Sequence, residues 1–103
     1  MKLERIRIPG GFKVVQNYFS ENCIETGLSE DISQFIFTQN NLTVDLGWYG
    51  DETTNKGLFR IVVVHESDWD NPLVKFESTD QKEIRDELEL TLHKIHNLEI
   101  TPQ

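Results

Sequence analysis

Cysteine is almost missing from this sequence: among 103 residues there is one, Cys23. A single thiol closes no internal disulfide, so the fold must rest on its core, and the pattern suits a reducing compartment. Long apolar runs are missing too. The most hydrophobic stretch, LFRIVVVH at 58–65, is far shorter than the roughly 20 residues that cross a bilayer as a helix. The start, MKLERIRIPGG, carries charges where a secretory leader carries an apolar segment, so it is not read as one. Positive charge is scarce. Ten Lys and Arg stand against eighteen Asp and Glu, for a formal net charge of -8. Such charge keeps a small protein soluble. It also repels phosphate backbones, which disfavours nucleic acid as a partner and favours a basic protein. The cations are uneven: Lys2, Arg5, Arg7 and Lys13 lie near the start, where Glu4 is their only acidic neighbour.

Complete catalytic arrangements are missing as well. Cys23 sits in SENCIE, where neighbouring carboxylates disfavour the thiolate that a nucleophile needs. PGGF at 9–12 lacks the spacing and the Lys or Ser of a phosphate loop. Glu66, Asp68 and Asp70 alternate like the start of a calcium loop, but Trp69 and Pro72 stand where Gly and further oxygen ligands belong. His93 and His96 share a helical face with Glu89 at a spacing that can hold a metal. The same histidines, with Lys94, equally suit the negative end of a helix. The expectation is no catalytic residue, no metal and no cofactor. A metal-dependent hydrolase using His93, His96 and carboxylates is the weaker alternative.

What is present reads as one domain spanning 1–103. KLERIRI alternates and predicts a short strand, PGG a turn, and FKVVQNYF at 12–19 a second strand, although Phe12, Val15 and Phe19 also fit a helix. Residues 20–31 read as an acidic loop. In ISQFIFTQNNLTVDLGWY two strand-forming runs flank QNN, which tolerates the dihedrals of a tight hairpin. Ser29 offers another reading there, capping a short helix that carries Ile32, Phe35 and Ile36. LTVDLGW puts Leu42, Val44, Leu46 and Trp48 on one face and Thr43, Asp45 and Gly47 on the other, so one face is buried and one is wet. GDETTNKG is a loop bounded by Gly50 and Gly57. LFRIVVVH is apolar on both faces, as in a central strand, and LVKFES at 73–78 is a further strand. TDQKEIRDELELTLHKIHN is the clearest helix, over 80–96. Ile84, Leu88, Leu92 and Ile95 form one stripe, and Thr79 or Asp80 can cap its start. The sum is an α+β fold: a mostly antiparallel sheet of about six strands with one C-terminal helix on one face. The second face is left partly exposed, with Thr43, Asp45 and Tyr49 on it.

Surface recognition is the function class that survives. Aromatic side chains dominate binding energy where they fill a partner's pocket, and flanking charges speed the encounter. HESDWDNP at 65–72 sets Trp69 among Glu66, Asp68 and Asp70. WYGDE at 48–52 is a second aromatic and acidic cluster. The candidate partner-binding residues are therefore Asp45, Tyr49, Asp51, Glu52, Glu66, Asp68, Trp69 and Asp70. Trp48 is expected in the core, whereas Trp69 faces either a partner or the interior. The two clusters bracket the strand at 57–65, which predicts opposite ends of the sheet.

The segments IPGGFKVVQNYF, VDLGWYGD, GLFRIVVV, DWDNPL and FESTDQKEIRDELELTL, taken in order, resemble small immunity proteins of bacterial polymorphic-toxin and contact-dependent growth-inhibition systems. The resemblance covers most of the chain and rests on aromatic and glycine motifs that look like scaffold, so it assigns no contact residue. It implies a cytoplasmic protein, not an enzyme, that binds and blocks one cognate toxin domain, often a nuclease. A nuclease cleft attracts a polyanion and is basic, which suits an acidic inhibitor. The alternative is a small interaction module that dimerises through its free sheet face.

Overall fold

Alternating apolar side chains along consecutive segments give a sheet one dry face, and a helix with one apolar stripe closes over it. The computed structural model describes residues 6–17, 32–51 and 56–101. Five strands form one antiparallel sheet in chain order: β1 (Phe12–Asn17), β2 (Ser33–Phe37), β3 (Leu42–Asp51), β4 (Lys56–His65) and β5 (Val74–Ser78). The helix α1 (Gln81–His96) follows. The expected α+β architecture is present, and Ser33–Phe37 is strand rather than helix. Cys23 and the loop around it lie outside the described residues.

The strand count is five among the described residues, below the six anticipated. Residues 6–9 have no regular structure. Arg7 approaches Glu89 at 4.0 Å, and the Gly10 carbonyl accepts a 2.9 Å hydrogen bond from His96 Nδ1. This stretch therefore lies along the helix, and Ile6 packs against the core while Ile8 is exposed.

On β3, Leu42, Val44, Leu46 and Trp48 are buried, and on β4 so are Phe59, Ile61 and Val63. They meet Ile84, Leu88, Leu92 and Ile95 of α1 in one core cluster. Asp80 caps the helix through a 3.0 Å bond from Lys82 N to Oδ1, while Ser78 Oγ accepts from Asp80 N at 3.0 Å. Satisfying these first amide groups fixes where the chain turns from β5 into α1. The second face is not uniformly wet. Asp45 and Tyr49 are half-buried there, but Thr43 and its cross-strand neighbour Val64 are buried.

The β3–β4 pair narrows at Gly50 and Gly57, which face each other. A Cβ on Gly57 would lie 2.5 Å from the Tyr49 carbonyl oxygen and 2.6 Å from Trp48 Cζ2. A backbone oxygen in a ladder cannot swing aside, so overpacking must strain the hairpin or lift the Trp48 ring. Gly57→Ala should therefore lower stability by about 1–3 kcal/mol, read as a shifted urea midpoint. An unchanged midpoint would show that the glycine is not needed for close approach.

Candidate interaction surface

The loop between β4 and β5 begins with an abrupt reversal. Asp68 N donates to the His65 carbonyl at 3.1 Å, and the two residues between, Glu66 and Ser67, have φ of 52° and 62°. Both central residues are left-handed, as in the mirror-image turns that match sheet twist. Glycine or asparagine usually fills such positions, and other residues there cost about 1–2 kcal/mol each.

The loop holds its own shape. Trp69 N donates to the Ser67 carbonyl at 3.0 Å and Asn71 N to the Asp68 carbonyl at 3.2 Å. Asn71 Nδ2 reaches both Asp68 carboxylate oxygens at 3.3 Å. Glu66 N donates across to the Asn41 carbonyl at 3.1 Å, tying the loop to the β2–β3 turn. Glu66, Asp68 and Asp70 are exposed, and Trp69 is 49 % exposed. The ring therefore faces outward, while Trp48 lies in the core as expected. His65 Nε2 stands 3.7 Å from Glu66 Oε1.

The structure brings Glu66, Asp68, Trp69 and Asp70 together and separates them from the other candidates. Asp51 ends β3 opposite Lys56, at the far end of β4 from His65. Nine residue steps at about 3.3 Å put the two ends about 30 Å apart. Asp45 and Tyr49 lie between them on the second sheet face, and Glu52 is outside the described residues.

Tyr49 belongs to a network that the sequence did not reveal. Arg60 stacks on its ring, 4.3 Å from the centroid, and pairs with Glu77 at 2.7 Å. Only the register, with Tyr49 opposite Leu58 and Arg60 opposite Glu77, makes this stack possible. Its contacts account for Tyr49 as a part of the second face rather than of the acidic loop.

His93 and His96 are engaged with backbone. His93 Nδ1 lies 2.8 Å from the Glu89 carbonyl oxygen and donates to it, as His96 donates to Gly10. Among the described residues no three His, Cys, Asp or Glu side chains gather where one ion could sit. An open groove of about 340 Å³ beside the first half of α1 is lined by Asp80, Lys82, Glu83, Asp86, Glu87 and Leu90. It contains no nucleophile paired with a base. Among the described residues no helix is long and apolar enough to cross a membrane.

No protein-family model, no curated protein and no solved structure matches the chain.

Proposed function

We propose that this chain is a cytoplasmic immunity protein that binds and blocks a cognate toxin domain, a basic nuclease. The observation that carries the reading is the outward Trp69, set among three exposed carboxylates on a loop that is fastened to itself and to the neighbouring turn. The acidic balance of the chain and the resemblance of its motifs support the same reading. Strained, well-fixed loops concentrate where a surface must be presented in one geometry. An acidic rim accelerates encounter with a basic cleft, and a desolvated aromatic slows departure. Blocking needs no catalysis by this chain, and no metal or cofactor.

Co-purification with the product of the neighbouring gene tests the reading. The expected result is a stable complex in which that product loses a nuclease activity it has alone. No complex, or a complex that leaves the activity intact, would remove the proposal. Charge reversal tests its electrostatic part. Asp68→Lys and Asp70→Lys should slow association, and added salt should shrink the difference, since screening acts within about 8 Å at physiological ionic strength. Association rates equal to the parent at low salt would place the steering charge elsewhere.

A further inference from the structure

One end of the sheet carries opposite charges at its two corners. The register brings the start of β1, the β2–β3 turn and the end of β4 to this end, since Phe12 faces Phe37, Phe37 faces Leu42 and Leu42 faces His65. The C-terminus of α1 joins them, because His96 donates to the Gly10 carbonyl just before β1. β1 and β4 are three strand steps apart, about 14 Å at about 4.8 Å for each step.

At the β4 corner Glu66, Asp68 and Asp70 are exposed. His65 stands 3.7 Å from Glu66, and no Lys or Arg lies between Ile61 and Val74. The next cation in the chain, Lys75, sits further along the sheet, opposite Val62. At the β1 corner Lys13, Lys94 and His96 are exposed, and so is Arg7, 4.0 Å from Glu89. Glu99 is the one exposed acid there among the described residues. Between the corners, Thr38, Gln39, Asn40 and Asn41 carry no charge. Each corner also exposes apolar surface. Trp69 lies at the acidic one. Ile8, two residues before Gly10, and Leu98, two residues after His96, lie at the basic one.

We infer that this end of the sheet is self-complementary and that it takes a second copy of the chain, related by a two-fold axis. The axis lies in the interface, midway between the corners. Rotation about it sets the acidic corner of each copy on the basic corner of the other, which is a closed isologous pairing. Trp69 of one copy then packs on the Ile8 and Leu98 corner of the other. The β2–β3 turn lies on the axis, where each residue meets its own copy. A charge there would repel itself, and residues 38–41 have none. Charge also selects this pairing over others. The whole chain carries -8, so two copies repel unless cations of one meet acids of the other. The inference stands apart from the immunity reading: a second copy and a toxin domain would cover the same loop and exclude each other.

Sedimentation equilibrium of the full chain tests this without any other protein. The mean mass should rise from monomer toward dimer between about 5 and 500 µM. Glu66→Lys/Asp70→Lys makes both corners basic and spares Asp68, which holds Asn71. Lys13→Glu/Lys94→Glu makes both corners acidic. Each double variant should weaken self-association by at least about tenfold. The first is the sharper, because two acids replaced by two lysines move the net charge from -8 to -4, and general repulsion alone would then strengthen a dimer. Mixed one to one, the two variants should form a heterodimer about as readily as the parent forms its dimer, which also shows that both are folded. A parent that stays monomeric throughout overturns the inference. So does either variant that dimerises like the parent, or a mixture that stays monomeric although both variants melt near the parent's temperature. If a variant melts far lower, Glu66→Gln/Asp70→Gln or Lys13→Gln/Lys94→Gln takes its place, and undiminished association there overturns the inference equally. Such a failure leaves the immunity reading as it stands, and absence of a toxin complex leaves the dimer.

Discussion

Leu88→Ala should destabilise the protein by about 2–5 kcal/mol. Leu88 is fully buried at the middle of the α1 stripe, between Ile84 and Leu92, in the cluster that joins the helix to β3 and β4. Removing three carbons there forfeits transfer free energy. It also leaves a cavity, because a sheet on one side and a helix on the other limit how far the walls can collapse. Leu90, on the same helix but half-exposed, should cost within about 0.5 kcal/mol on truncation, as surface substitutions do. Urea unfolding of the two variants separates a docked helix from a merely formed one. Equal, small losses at both positions would mean that α1 does not bury this stripe.

The contrast also explains which parts of the fold were legible. Period-two alternation from Leu42 to Trp48 and the three- and four-residue spacing from Ile84 to Ile95 are set by the backbone's own geometry, so burial on one side follows directly. Asp80 is a capping residue by chemistry and caps in the structure. The strand expected over KLERIRI does not extend through its described residues, 6–8, which lie beside the helix through Arg7 and the neighbouring Gly10; residues 2–5 lie outside the described residues. Contacts that depend on register, such as Arg60 on Tyr49, leave no trace in local pattern. The orientation of Trp69 was open for a related reason. Its turn is made by Glu66 and Ser67 in left-handed conformations, without the Gly or Asn that announces such a turn. The same lack of a signal hid the end of α1, where Leu98, just past the C-cap Asn97, has φ of 61° without being the glycine or asparagine usual there. Residues that break local rules are where local reasoning fails.

Trp69→Ala should weaken the proposed complex with a toxin domain by about 2–4 kcal/mol, chiefly through faster dissociation, while leaving the protein's own stability nearly unchanged. The two halves of this expectation have separate causes. Trp69 is half-exposed and is not part of the core cluster, so truncating it opens no sealed cavity. Its backbone bond to Ser67, and the Asn71–Asp68 bonds that close the loop, survive the change. In the complex the indole would be desolvated against the partner, with Glu66, Asp68 and Asp70 excluding water at its rim and matching basic groups. Losing it would remove apolar contact at the centre and leave those charges more hydrated, which acts on departure rather than arrival. Stopped-flow association, surface-immobilised dissociation and a thermal melt on one preparation read all three quantities. Unchanged dissociation would show that the ring does not enter a pocket on the partner. A large drop in melting temperature with affinity retained would show that it serves the fold. In either case the interface would have to be sought on the second sheet face around Asp45 and Tyr49.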